Sequence, residues 1–281
     1  MGNVAVIESL IAILLNSNEH EGKAMDVSVV SSLVSALRKL NDARAVEPLL
    51  AALERKDEQT RAVIALSLGS FGDMCAVEPL INLLHDQEPL IRRAAACVLG
   101  DLADRRAVPP LLAILDDPDL ETRNSAIKAL GLLGDIRAVM PLLCLLEQAS
   151  PSYRRIFIIE ALDRLGDLRT VEAFIACLTD PLEETEVRIA SIEAVGHLAA
   201  KSAVPVLLPM LSAPTDDEFS EMRWRTAVAL GQIGDTQAIP SLQPHLSDPE
   251  PVMCMAVSNA LQQLELIKVV ESAHELHQTA Q

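Results

Sequence analysis

The 281-residue sequence predicts an all-α solenoid, a stack of helical hairpins in which each hairpin buries its apolar face against its neighbours. Three observations carry that prediction. A twelve-residue segment recurs at intervals of about 31 residues. A second segment precedes each copy at a fixed distance, and no alternating run rich in Val, Ile and Thr suggests a strand.

The recurring segment is DARAVEPLLAAL at Asp42, DMCAVEPLINLL at Asp73, DRRAVPPLLAIL at Asp104 and DIRAVMPLLCLL at Asp135. It continues as DLRTVEAFIACL at Asp167, AKSAVPVLLPML at Ala200 and DTQAIPSLQPHL at Asp235, with a degenerate copy near Leu266. Asp suits the cap of an opening turn, and Pro stands in the first turn, where a missing N–H costs nothing. These first residues (anchors, below) therefore open the first helix of each hairpin.

The second segment carries arginine twelve residues before the anchor, at Arg61, Arg92, Arg123, Arg155, Arg188 and Arg223. Four before it stands glycine, at Gly69, Gly100, Gly131, Gly196 and Gly231, with Asp163 the exception. In DDPDLETRNSAIKALGLLG, Asp117 and Pro118 mark a helix start and the glycines its end. Insertions such as PLEETE and APTDDEFSE fall between the two segments and read as loops.

The terminal copies depart from the pattern, as caps do. The first has Val30 and Arg38, and the last Cys254 and Gln262, where inner copies have Arg and Gly. The expected organisation is residues 1–41 as N-terminal capping helices with a polar loop over 16–28, residues 42–265 as the array, and residues 266–281 as a C-terminal cap ending in a frayed tail.

A net charge of −17 opposes binding to phosphate backbones and anionic lipid surfaces, so no nucleic acid and no membrane is expected as a partner. Six aromatic residues are too few for an aromatic-lined ligand pocket or a base-stacking platform. The N-terminal stretch lacks the features of a signal peptide, no run of about 18 apolar residues occurs, and the five cysteines are scattered. The expected location is cytoplasmic, with reduced thiols.

The combined pattern D-x-x-A-V-x-x-L…V-R-x-x-A-x-x-A-L-G-x-x-G-D resembles HEAT repeats of the short class named for phycobilisome lyases, over roughly residues 29–265. The resemblance implies a right-handed superhelix of about eight repeats whose second helices line the concave surface. It also implies a polar ladder with Asp six residues before the arginine. Asp86/Arg92, Asp117/Arg123 and Asp217/Arg223 fit, whereas Arg55/Arg61 and Ala149/Arg155 depart from it. The class includes bilin lyase subunits that attach linear tetrapyrroles to phycobiliprotein cysteines, phycobilisome-disassembly factors, and adaptors without chemistry. The Trp-rich N-terminal stretch of the lyase subunits is absent.

Positions four, five, six, eight and nine before the anchor are small or aliphatic and should be buried. Positions three, seven, eleven and fourteen before it fall on the opposite stripe of the second helix. The eleven-before row reads Ala62, Arg93, Asn124, Ile156, Ile189, Trp224, Met255, so its C-terminal half is large and apolar. Tyr153, Glu160, Glu186, Glu193 and Glu221 border it. An apolar strip with a charged rim marks an interaction site, and Trp and Tyr are favoured anchors. Phe157 and Arg225, ten before their anchors, stand at its edge. The alternative is that the chain's own loops seal the strip, for which Phe219 is well placed.

These residues support a non-catalytic adaptor that holds a basic or amphipathic protein segment, with no cofactor. The alternative is a bilin lyase or chaperone subunit, with Arg93, Arg154 and Arg225 holding the propionates and Glu160 protonating a pyrrole nitrogen. A third reading is an accessory factor for a partner's metal cluster, acting through Cys97, the one thiol expected to be accessible. His274 and His277 have no third ligand nearby in sequence, so no metal site is expected. Few His-Glu pairs argue against a di-iron hydroxylase. Cys144 and Cys177, nine and ten residues past their anchors, are expected at similar buried depths.

Overall fold

The computed structural model describes residues 2–16, 27–40, 45–53, 58–69, 76–148, 152–213 and 217–279. The chain is an all-α solenoid, and no strand occurs among the described residues. It divides into two compact units, Met1–Ala138 and Val139–Gln281.

The first unit contains α1 (Gly2–Asn16), α2 (Val27–Leu40), α3 (Val46–Ala52), α4 (Glu58–Leu68), α5 (Val77–Leu83), α6 (Pro89–Leu102), α7 (Val108–Ala113) and α8 (Leu120–Leu133). Its second helices α2, α4, α6 and α8 stack in chain order. The second unit contains α9 (Val139–Gln148), α10 (Ser152–Leu165), α11 (Val171–Thr179), α12 (Thr185–His197), α13 (Val204–Met210), α14 (Asp217–Ile233), α15 (Ile239–Leu242) and α16 (Pro251–Thr279). Here α10, α12, α14 and α16 stack in order.

The anchor aspartates cap their turns as the sequence suggests. Asp104, Asp135, Asp167 and Asp235 each accept the backbone N–H two residues on, which satisfies an otherwise orphaned donor. Apolar residues at helical spacing then enter the core: Val108 and Leu111 in α7, Val139, Leu142 and Leu146 in α9, Val171, Phe174 and Leu178 in α11. Close helix approach depends on small residues, as at Gly100, where a Cβ would lie 2.9 Å from Ala129 Cα.

Two local expectations need correction, and a third is not reached by the described residues. The cap of α8 is Asp119, which accepts Thr122 N–H at 2.8 Å; Asp117 is committed elsewhere. At the C-terminus no break occurs at Leu266, because Glu265–Lys268 offers no Gly, Pro or Asp, and α16 runs on to Thr279. The polar loop expected over 16–28 lies outside the described residues from Ser17 to Asp26, as do Asp42, Asp73, Cys75 and the His20–Glu21 pair.

The ladder exists in a different register. Arg61 grips Asp86 with two hydrogen bonds of 2.8 Å, and Arg92 grips Asp117 with two of 2.7 Å. Arg223 pairs with Asp248 and, at 3.5 Å, Glu250; Arg155 pairs with Glu183 at 2.6 Å. Each Asp thus serves the arginine of the preceding hairpin, because it stands in the turn before a helix stacked beside the one that carries that arginine. Its own arginine takes its backbone carbonyl, as Arg92 does with Asp86 and Arg123 with Asp117.

Candidate functional site

The exposed stripe of the second helices is where side chains can meet a ligand. In the described residues the rows three, seven and fourteen before the anchor are exposed or half-exposed throughout. The eleven-before row is mixed. Arg93 and Met255 are exposed, Ile156, Ile189 and Trp224 are half-buried, and Ala62 and Asn124 are buried. The expectation of a solvated first half therefore fails at Ala62 and Asn124. Positions eleven and ten straddle the stripe's centre, so a short side chain at eleven is overlapped by its neighbours while a large one projects past them.

The large members lie together in the second unit on α10, α12, α14 and α16. Tyr153 is 41% exposed and Met255 64%. Phe157, also exposed, meets Tyr153 edge-to-face with ring centroids 6.5 Å apart. Val228 and Val252 add exposed apolar surface that periodicity offered but that was not singled out. Phe219 lies inside α14 rather than in a loop, five residues and about 140° of helix rotation from Trp224, so it does not close over the indole.

Trp224 forms one wall of an open cleft of about 60 Å³ with Glu193, His197, Arg225, Val228, Ala229 and Gln232. The Arg225 guanidinium lies 4.6 Å from the indole centroid. It is held there by Glu193 of α12 and by Glu221 at 2.9 Å. Arg225 is therefore an internal clasp and not the free anion contact that the sequence suggested. Glu160 and Glu186 are exposed on the same face.

The other two proposed anion contacts stand on different helices. Arg93 is exposed on α6 in the first unit, and Arg154 is half-buried and engaged within the structure. Cys97 is half-exposed in a cleft of about 100 Å³ with Asp101, Ser125, Lys128, Ala129 and Leu132. It is not the sole accessible thiol, since Cys144 is exposed. The one-residue difference between Cys144 and Cys177 is 100° of rotation, which turns Cys144 outward and Cys177 into the core. Burial pushes the Cys177 thiol up, against the opposing pull of Arg155.

Among the described residues no three His, Cys, Asp or Glu side chains are grouped to hold a metal ion. No described helix is long and apolar enough to cross a membrane. The side chains of His274 and His277 lie outside the described set.

Comparison with known proteins adds the lineage of the fold. The family profile described as HEAT repeats matches residues 77–162 and 139–220, and that of the PBS lyase HEAT-like repeat matches 29–55, 60–86 and 222–248. No curated protein sequence matches. Among solved structures, the CpcE–CpcF complex of phycocyanin lyase from Nostoc sp. PCC7120 is similar at 25% identity and a TM-score of 0.50, covering 78% of this chain and 94% of that one. The karyopherin Kap121p bound to the extreme C-terminus of the phosphatase Cdc14p is similar at 16% identity and TM-score 0.63, covering 92% of this chain and 33% of that one. An engineered protein is similar at 19% identity and TM-score 0.59, covering 92% and 78%. The last two likenesses show the fold alone.

Proposed function

This chain belongs to the HEAT-repeat family, and from that premise we propose that it is a non-catalytic scaffold that docks a basic, amphipathic protein segment on the second helices of its second unit. The observation that carries this reading is the row Ile156, Ile189, Trp224 and Met255, left half-buried or exposed on four successive stacked helices beside Tyr153 and Phe157. Uncovered apolar side chains in a continuous row favour a partner that covers them. Trp224 and Tyr153 supply contact area at low entropic cost. Glu160 and Glu186 set partner choice by attracting cations, reinforced by a chain charge of −17. The similarity to a complex of two proteins, CpcE and CpcF, also supports a protein partner.

The test is site-specific cross-linking. A photoreactive phenylalanine analogue at position Ile189 should capture one protein in the source cell, and Trp224→Ala should abolish the adduct. The same analogue at Leu182, 90% exposed and off the row, is the control. Equal capture from both positions would remove the docking reading.

The likeness to phycocyanin lyase subunits favours a second reading, binding of a bilin. The arginines weigh against it, since Arg225 is neutralised by two glutamates and would have to be freed to meet a propionate. Mixing the protein with free phycocyanobilin decides the matter: an unshifted visible absorption band rules this reading out.

A further inference from the structure

Two neighbouring junctions of the second unit carry the same pair of carboxylates, and among the described residues only one of them holds a cation. Counted from the anchors, Glu193 stands seven before on α12 and Glu221 fourteen before on α14, while Arg225 stands ten before on α14. One junction earlier the same three places hold Glu160 on α10 and Glu186 and Ala190 on α12. The helices stack in the same order at both junctions. At the following junction, between α14 and α16, the two carboxylate places are taken by Val228 and Val252. Paired glutamates are therefore not a general feature of the repeat.

Arg225 shows what such a pair accommodates. Its Nε and Nη2 meet Glu221 at 2.9 Å, its Nη1 meets Glu193, and its face lies on the Trp224 indole. Two carboxylates from adjacent helices thus grip one planar fork, while a large side chain eleven before the anchor supports its face. The arginine is peculiar to this copy: the others have Val63, Ala94, Ser125, Phe157, Ala190 and Ala256 at its position. Glu160 and Glu186 are exposed and have no hydrogen-bond or ion-pair partner among the described residues. Half-buried Ile189 takes the place of Trp224 there. Phe157, exposed three residues before Glu160, offers an aromatic face on the same side of α10.

We propose that Glu160 and Glu186 form an arginine-recognition site, the unfilled counterpart of the one that Arg225 fills, and that it takes an arginine of the docked segment. The proposal rests on the docking reading above and specifies which basic residue the segment presents there. A guanidinium donates to two carboxylates at once and lays its face against Ile189 and Phe157, whereas a lysine ammonium is a compact, strongly hydrated charge with no flat face. An acidic pair alone would be no more than a solvated surface; the template at Glu193 and Glu221 gives this one a ligand chemistry. Because Arg225 already neutralises Glu193 and Glu221, the partner's cation is directed to Glu160 and Glu186.

The probes are L-argininamide and L-lysinamide, added at low ionic strength to the full chain carrying isotope-labelled isoleucine δ1 methyl groups. Argininamide should shift the Ile189 methyl signal with millimolar affinity, and lysinamide should bind about fivefold more weakly. Glu160→Gln with Glu186→Gln, both on the surface, should abolish the shift. Ala190→Arg supplies in cis the arginine of the neighbouring junction and should block the probe by filling the site. Lysinamide as effective as argininamide, a shift that survives the double glutamine exchange or Ala190→Arg, or no Ile189 shift in the unaltered protein would overturn the inference. The docking reading fails instead on equal cross-linking from Ile189 and Leu182, so the two failures are distinguishable.

Discussion

Arg92 and Asp117, 25 residues apart in sequence, meet in a two-pronged pair with both N–O distances at 2.7 Å, nearly out of reach of solvent. The Asp117 hydrogen bond, foremost, raises the Arg92 pKa against the cost of burial. For Asp117 burial is the largest influence and pushes the carboxyl up, but Arg92 and the Asp119 amide together outweigh it and hold the group below its usual value. Both side chains are thus charged and matched. Removing one strands the other, so Asp117→Ala should cost about 3–5 kcal/mol in urea unfolding. Replacing both, Arg92→Met with Asp117→Leu, should cost less than Asp117→Ala alone. A double variant as unstable as the sum of the singles would show that the pair does not act as a unit.

Acid should unfold the chain through the turn aspartates. Asp135 and Asp167 are each held down to about 2, chiefly by the side-chain hydrogen bonds of Arg137 and Arg169 and then by the capped amides. Because the folded value lies below the unfolded 3.8, the stabilisation is complete above about pH 4 and lost as pH falls from there toward 2. The Asp135→Asn/Asp167→Asn protein should therefore show a shallower decline of its urea midpoint over that interval. Identical slopes for the two proteins would contradict this.

The residues show what a sequence can and cannot settle about such a stack. Anchor aspartates and prolines act within one turn, and local hydrogen bonding placed them correctly. The ladder register was misread because a spacing of six along the chain does not tell which of two stacked neighbours Asp117 will face. Cys144 and Ala62 were misplaced by rotations of about 100° or less, finer than a row count resolves. Phe219 was assigned to a loop because its polar neighbours hide the first turn of α14.

Trp224 and Phe174 should respond differently to truncation. Phe174 is fully buried in α11, and Phe174→Ala should cost about 3–5 kcal/mol. Trp224 is half-buried with a guanidinium on one face, so Trp224→Ala should cost only about 1–2 kcal/mol, near the value of a cation–π contact plus partial burial. Being the sole tryptophan, it also reports on its own cover: Arg225→Ala should increase acrylamide quenching of its fluorescence. Equal costs for the two truncations would make Trp224 a core residue.

Thiol chemistry checks the rotation argument directly. Cys144 is exposed on α9, whereas Cys177 is buried in α11 and its thiol is pushed up by that burial. Iodoacetamide at pH 8 should label Cys144 first and Cys177 only after denaturation, as read by peptide mass spectrometry. Cys177 modified at the rate of Cys144 in the native protein would place the two thiols on one face after all.

Gly100→Ala reverses the usual effect of that exchange. In an open helix interior, alanine gains up to about 1 kcal/mol over glycine. At Gly100 the new Cβ would lie 2.9 Å from Ala129 Cα and 3.0 Å from its Cβ, atoms that cannot yield without moving α8. Overpacking of this kind costs about 1–3 kcal/mol, so the net effect should be a loss of roughly 1–2 kcal/mol. Gly134→Ala is the informative contrast. There nothing lies within 4 Å of the added Cβ, and the cost of about 1 kcal/mol comes only from φ of 62°. Pairing Gly100→Ala with Ala129→Gly should restore most of the lost stability, because the helices then regain their close approach through the opposite residue; no recovery would mean that contact at this junction does not set the spacing of α6 and α8.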